Sequence, residues 1–551
     1  MSRPSAAPLP LASLRQALAH GGPFHQDGAP IHLTREQRTR YLGLLDAFGL
    51  AFGDGPVVLV RAPGRINLRG MHVDTHGGWL NLATHQREIA LVMGAGTPGR
   101  IEARNLDARF SALDLALDAL PPRDTDWSAF LASMPCRRLQ DTVPEGWGRY
   151  VAGATLRNLN PYDEGPVPGL RAVVDGNLPQ GAALSSSAAL CIAWLLGAAA
   201  LAGHQWQPEA LILAARDAEW FAGARTGTAD QAAIVLGKAG QLLHTTLLAE
   251  DFSLAAIRWL PIPDGWAVVV AESGTSRKLS GPARVAYGQN RFAYSAALAL
   301  LRRAMAEQGW SPERIAGMDR LSRMDGESLG GAQAVWRLLE AVPESMDLDA
   351  LRALGLPGLD EQYQALFDDL PSAQQPQRFP MRAPLIYGLS ESERAARFPR
   401  WVSEGDGVTA GKAMSIGHDG DRVAAGDRVP WPPEYDLKRL GALGEAAKPL
   451  WQESGYYGAS SPALDMLVDT ALGAGAWGAC LTGAGIGGVV LALCSDANRD
   501  RVLEQLAEIL CTPAYAAQAG LAEALDRNRA EKMLCLNEAR PGAGVLRPDG
   551  L

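Results

Sequence analysis

The chain has 551 residues, 47% of them hydrophobic, with 51 Lys and Arg against 60 Asp and Glu, for a net charge of -9. That length exceeds one ordinary domain and predicts two. The acidic balance gives no general field for nucleic acid or an anionic membrane, so any phosphate must be held by local Lys or Arg.

The N-terminus, MSRPSAAPLPLASLRQALAHGGPF, has no sustained apolar core, so a secretory signal is not expected. A helical pattern runs from Arg35 to Phe48 inside an N-terminal extension, residues 1–55. Val57 to Val60 reads as a short apolar strand, and Trp79 to Met93 as strands. Leu170 to Val174 is a strand feeding a loop with three serines. The apolar run Leu190 to Leu201 is too short to span a membrane and reads as a buried helix. Pro208 to Phe221 is helical, with Leu211, Ala214, Ala215 and Ala218 at helical spacing.

A boundary falls near Pro261 to Gly265, PIPDG, dividing a first domain (56–262) from a second (263–551). Ala267 to Ala271 follows as a strand and Asn290 to Met305 as a helix. The stretches from Pro371 and from Asp419 to Pro433 read as surface loops. Strands and helices mix without a regular βαβ rhythm, which predicts an α+β fold.

Six cysteines, Cys136, Cys191, Cys480, Cys494, Cys511 and Cys535, form no CxxC pair. Three sit in apolar runs, which predicts buried thiols in a reducing, cytoplasmic setting. The nine histidines show no zinc-ligand spacing.

The most informative stretch is Asp175 to Leu190, DGNLPQGAALSSSAAL. It brings backbone N–H groups and serine hydroxyls to the start of a helix, where the dipole favours an anion. The plainer reading is a serine cap on a buried helix. Two other segments decide between them: Arg61 to Gly78, RAPGRINLRGMHVDTHGG, and Leu481 to Leu493, LTGAGIGGVVLAL.

These three segments, in this order, resemble the GHMP small-molecule kinases, and the first resembles the galactokinase branch. That branch reads P-G-R-V-N-L-I-G-E-H-T-D-Y-N-G-G, matched here at Pro63, Gly64, Arg65, Asn67, Leu68, Gly70, His72, Asp74, Gly77 and Gly78. The serine segment resembles P-x-G-x-G-L-S-S-S-A-A, with Ala183 for the last Gly. The third matches T-G-A-G-x-G-G, and Gly227 to Gln231, GTADQ, resembles G-I-M-D-Q. Ala539 to Leu546 resembles the family's closing strand. Arg382 to Arg394 resembles a segment with Glu and Arg on one helix. Extra length lies in residues 1–50, near 310–380 and near 420–455.

The resemblance implies two α+β domains with the active site in the cleft between them, and transfer of phosphate from ATP to the anomeric hydroxyl of a sugar. It places ATP on Pro179, Gly181, Ala183, Leu184, Ser185, Ser186, Ser187 and Ala188. It gives Mg²⁺ to Ser187 and Glu219, with Ser185 or Ser186 able to replace Ser187. Asp230 becomes the catalytic carboxylate and Arg65 its cationic partner. Sugar contacts fall to Asp74, His72, Met71, Gly227 and Tyr287. Plainer readings of these residues are a helix cap for Asp230, a structural ion pair for Arg65 and a solvated helix side chain for Glu219.

The match breaks at Met71, where the family has the Glu implied to bind the hydroxyl at carbon six. A thioether is a weak acceptor, and a buried hydroxyl left unpaired costs about 1–3 kcal/mol. The expected substrate is therefore a galactose relative altered at carbon six: L-arabinose, a 6-deoxy sugar, a uronic acid or a modified sugar. Plain galactose fits if another residue supplies the contact. Two other readings stay open: a sensor that binds sugar and ATP without useful turnover, and a kinase of a non-sugar alcohol.

Overall fold

The computed structural model describes residues 7–116, 126–158, 169–179, 181, 183–224, 226–248, 251–275, 282–368, 370–423 and 437–550. Most of the loop expected from Asp419 to Pro433 lies outside them, as do two residues of the serine segment, Gln180 and Ala182.

Two long strands, Pro56–Arg69 and Trp79–Gly96, form the centre of the first sheet and pair antiparallel from Val57↔Gly94 to Arg69↔Asn81. The first is much longer than its apolar start suggests. The motif PGRINLR is itself strand, with register irregularities after Pro63 and Asn67 that let polar side chains leave the pleat. The sheet extends on one side through Gly169–Gly176 and Gln241–Thr246. On the other side lies Gly544–Pro548, so the end of the chain returns to the first sheet. Arg100–Asn105 and Gly169–Gly176 pair parallel; the other strand pairs are antiparallel.

Both faces of this sheet are covered, which explains the continuous run Val57 to Val60. Val58, Val60, Ala62, Ile66 and Leu68 face a core containing the helix Ser186–Leu201. That helix is apolar all round because it is buried all round. Val57, Leu59, Ala90, Val92 and Val173 face Tyr41, Leu44, Leu45 and Phe48 of the helix Arg35–Phe52. The N-terminal extension thus covers the outer face of the sheet. Its helix begins with a Thr34–Gln37 capping box.

The second sheet holds Gly478–Thr482, Val489–Ser495, Trp266–Glu272 and Leu534–Leu536, all antiparallel. The change of sheet falls between Arg258–Pro261 and Trp266–Glu272. A further core joins helices Pro282–Glu307, Ala332–Glu340, Leu359–Phe367 and Arg382–Glu404 to Leu80, Leu82 and Leu243 of the first sheet and to Val73 in the turn before Trp79–Gly96. The extra segment 310–380 is therefore fastened beside the first motif. Ser322 N donates to Gly77 O at 3.0 Å, and the Trp79 indole donates to Ser322 O at 3.2 Å. The Pro371 stretch is mostly exposed but includes a short strand, Arg378–Pro380, paired with Ser345–Asp347.

All six cysteines are free thiols. No described helix is long and apolar enough to cross a membrane.

Candidate active site

A cavity of about 930 Å³ is lined by all three glycine- or serine-rich segments. Its wall contains Arg65, Met71, His72, Asp74, Gly181, Ala183, Ser185, Ser186, Ser187, Glu219, Gly227, Asp230 and Tyr287. Pro179, Leu184 and Ala188 are not among the wall residues. Leu184 and Ala188 are buried beneath the loop, and Leu184 O accepts from Arg65 N at 3.2 Å.

The segments are brought together by close backbone approach. A Cβ on Gly64 would lie 2.5 Å from Leu178 Cδ2 and 2.8 Å from Leu184 O, so the first motif seats the serine loop directly. Gly483, at φ +77°, approaches Ala183 so closely that a Cβ would lie 2.7 Å from the alanine methyl. Thr482 Oγ1 accepts from Asn67 N at 2.9 Å and returns a bond to Asn67 O at 3.2 Å. The third motif is thereby tied to the first.

Ser185 adopts φ +63° and makes no helix-capping bond. Its hydroxyl donates instead to Asp230 Oδ2 at 2.6 Å. Arg65 Nε donates to Asp230 Oδ1 at 2.7 Å, and its Nη1 donates to Ala183 O. Asp230 stands in the first turn of the helix Ala229–Leu236, and its side chain points at Arg65 and Ser185 rather than at that helix's N–H groups. Its carboxylate is about a quarter exposed, open to the cavity.

Glu219 is 1% exposed, so it is not a solvated helix residue. Ser187 Oγ donates to its Oε1 at 2.6 Å, and Gln231 donates to Oε2. Burial raises the carboxyl from 4.5 to about 7; the nearby Asp230 carboxylate adds to this, against the two donors. A hydroxyl and a carboxylate side by side suit a hard cation that completes its shell with phosphate oxygens. Among the described residues no cluster of three or more His, Cys, Asp or Glu offers an all-protein metal site.

At the other end of the cavity Asp74 lies against Gly227, where a Cβ would collide with Asp74 Oδ2. Burial raises the Asp74 carboxyl and the Asp230 carboxylate adds to it, while Arg291 and His72 oppose them. Tyr287 meets the His72 ring edge-on at 5.9 Å. Met71 is 1% exposed. Its N–H and that of Gly70 donate to Glu391 Oε1 at 2.9 and 2.7 Å. Arg69 Nε donates to the same oxygen at 2.6 Å, and Arg394 Nε to Oε2 at 3.0 Å. Burial alone would raise the Glu391 carboxyl; the two guanidiniums and two N–H groups overcome it and hold it low. His76 is turned away from the cavity: it meets Ser295 Oγ at 2.9 Å and Thr75 Oγ1 at 3.0 Å. Burial lowers it to about 3, so it is neutral near pH 7.

Sequence reading missed several wall residues. Arg291 lies one helical turn after Tyr287, a spacing that could have flagged it. Asn105, Phe110, Trp147 and Tyr150 also line the cavity, but sit in segments without a motif. Ala365 and Leu366, from the extra segment, also reach the cavity.

Comparison with known proteins shows what the chain carrying this arrangement is similar to. Residues 149–238 match the GHMP kinases N terminal domain, 433–510 the GHMP kinases C terminal, and 46–95 the galactokinase galactose-binding signature. The chain carries matches to both GHMP kinase domains and to the galactokinase galactose-binding signature, and is galactokinase-like. It is 31% identical over 267 residues to a galactokinase of Chloroflexus aggregans, covering 47% of this chain and 60% of that one. It is 26% identical over 467 residues to that of Roseiflexus sp., covering 84% and 90%. With that of Streptomyces coelicolor it is 26% identical over 509 residues, 91% and 97%. The chain thus spans about three fifths of the first relative's length and nine tenths or more of the other two. The crystal structure of Lactococcus lactis galactokinase complexed with galactose shares the fold, with a TM-score of 0.59 at 18% identity over 92% of this chain and 99% of that one.

Proposed function

We infer that the protein transfers the γ-phosphate of ATP to the anomeric hydroxyl of a galactose-type sugar, giving sugar 1-phosphate, ADP and a proton. The observation that carries this is the Arg65–Asp230–Ser185 constellation at the junction of the serine loop and the Asp74 end of the cavity. Asp230 accepts or orients the hydroxyl proton, and Arg65 pairs with it and meets charge growing on the attacking oxygen. The serine loop and the N-terminus of the helix Ser186–Leu201 take the phosphates. Ser187 and Glu219 hold Mg²⁺, which when bound neutralises charge on the transferring phosphate.

Asp74 suits the paired hydroxyls of a sugar, since an ionised carboxylate is acceptor-only. Met71, a buried residue with no strong hydrogen-bonding side chain, lines the same cavity. That supports a sugar lacking a strong hydrogen-bonding hydroxyl at carbon six: L-arabinose, a 6-deoxy sugar, or one modified there. The galactokinase relatives support galactose itself. An ADP-release assay with ATP–Mg²⁺ separates these readings, using galactose, L-arabinose, fucose, galacturonate, glucuronate and mevalonate. One active sugar, silent with Asp230→Asn, supports the kinase and names what Met71 selects. Equal turnover of galactose and its carbon-six variants sinks the altered pocket. Mevalonate turnover alone sinks the sugar. Binding of sugar and ATP without ADP release moves the reading to a sensor.

A further inference from the structure

We propose that Asp421 is a positioning residue for substrate recognition. Its carboxylate fixes His72 in the tautomer with the proton on Nε2, leaving Nδ1 as a hydrogen-bond acceptor for a substrate hydroxyl. The proposal rests on the sugar-kinase reading above.

His72 is held on several sides. Its backbone has φ +59°, a left-handed conformation uncommon for a side-chain-bearing residue. Its ring stacks flat on Tyr457, with centroids 4.4 Å apart and planes within 6°. Tyr287 meets it edge-on and Tyr387 lies tilted beside it, both at 5.9 Å. Nε2 then lies 3.5 Å from Asp421 Oδ1. Both atoms are buried, and neither has a hydrogen-bond partner among the described residues, so each is the nearest complement the other has.

Asp421 ends the helix Gly407–Asp421 and is 1% exposed. The Tyr387 hydroxyl donates to its Oδ2 at 2.9 Å, which leaves Oδ1 aimed at His72. Burial pushes the hydroxyls of Tyr387 and Tyr457 well above their usual range, so both stay neutral beside the ring. An ionised carboxylate only accepts, so a bare Nε2 facing it would set lone pair against lone pair. The proton belongs on Nε2.

His72 is a wall residue of the cavity beside Met71, Asp74 and Tyr287, whereas Asp421 is not. Asp421 therefore acts through the ring. The groups facing His72 are Asp421, Asp74, Tyr287, Tyr387 and Tyr457. Among them His72 is the one whose ring carries a tautomer to be set, and this end of the wall has no acceptor at Met71.

The test uses the full chain with ¹⁵N-labelled histidine, its His72 signals assigned by their loss in His72→Gln. The wild type should show Nε2 protonated and Nδ1 bare. Asp421→Asn faces Nε2 with an amide N–H, and should move the proton to Nδ1. Asp421→Leu should leave a mixture. Both variants should raise the KM for the active sugar about tenfold or more, with the KM for ATP and kcat at saturating sugar within about twofold. Asp421→Glu should recover part of the loss. A wild-type ring protonated on Nδ1 overturns the proposal, as does an unchanged sugar KM in both variants. Equal damage to both KM values and to the melting temperature also overturns it, since that marks a structural role. If no sugar is turned over, the kinase reading fails on its own; the ring spectrum and a sugar-induced melting shift still decide the pair.

Discussion

The Ser187 hydroxyl donates to Glu219 Oε1 across 2.6 Å, joining the serine loop to a buried carboxylate that has no cation in direct contact among the described residues. Neighbouring donors bond Glu219, yet burial and the Asp230 carboxylate still leave it at about 7. A buried acid in this state is poised to bind a metal ion and to release a proton when it does.

The first prediction follows from that sign. Glu219 titrates near 4.5 in the unfolded chain and near 7 in the folded one. Between those values the folded state binds more protons, so this group's contribution makes stability fall as pH rises from about 4.5 to 7. The penalty is complete above 7, and a shift of this size corresponds to roughly 3 kcal/mol. On the proposed reading, Mg²⁺–ATP would remove it by taking up the carboxylate. The melting-temperature gain from Mg²⁺–ATP should therefore be larger at pH 8 than at pH 5.5. Calorimetry in buffers of different ionisation enthalpy should show proton release on binding near pH 6.5. Glu219→Gln should abolish that release; an undiminished release in the variant would reject Glu219 as the metal ligand.

Asp230→Asn tests the acid–base role. The amide keeps the size of the side chain and loses the charge that pairs with Arg65 at 2.7 Å. Turnover should fall about 10²–10⁴-fold, the usual loss for a positioned acid/base group. The sugar KM should change little, and the melting temperature should stay within a few degrees because the carboxylate is partly open to the cavity. Retained turnover would remove Asp230 from the chemistry.

Two glycines separate the sugar end from the ATP end. Gly227→Ala would push a methyl into Asp74 Oδ2, and Gly483→Ala would push one into Ala183 of the serine loop. The first should raise the KM for sugar with a smaller effect on ATP. The second should raise the KM for ATP, aggravated by strain at φ +77°. Steady-state kinetics of both variants against both substrates checks this. The opposite assignment would exchange the two ends of the cavity.

These contrasts show what the sequence carries and what it does not. Arg65, Asp230 and the serines could be named from short runs that resemble a family's motifs, and the structure brings them to one cavity. The motif strand was not legible as strand: Pro63, Gly64 and the polar residues Arg65, Asn67 and Arg69 break the apolar alternation, and the sheet holds them because their side chains serve the site or the Glu391 cluster. The partner of the Arg35–Phe52 helix was unreadable, since an apolar stripe does not name the surface it covers. The same holds for Asp421, which meets His72 from the far end of a helix in the other half of the chain. The return of Gly544–Pro548 to the first sheet is likewise a long-range pairing that local pattern does not encode.

The last prediction concerns the buried charge cluster behind the first motif. Glu391 bonds Arg69, Arg394, Gly70 N and Met71 N, and Glu391, Arg69 and Arg394 are all fully buried. Glu391→Gln leaves two guanidiniums in the interior with one neutral amide between them. Breaking such a cluster should cost about 3–5 kcal/mol, because the remaining charges are uncompensated. The variant should melt well below the wild type at neutral pH. Because the Glu391 carboxyl is held below its usual range, its contribution is present above the ordinary glutamate value and is lost as pH falls through the lowered one. The gap between variant and wild type should therefore narrow in strong acid. Glu504→Gln is the control: it breaks the exposed Arg527–Glu504 pair, and water already screens that contact. It should leave the melting temperature unchanged, and a Glu391→Gln curve that overlays it would show that the cluster does not hold the motif in place.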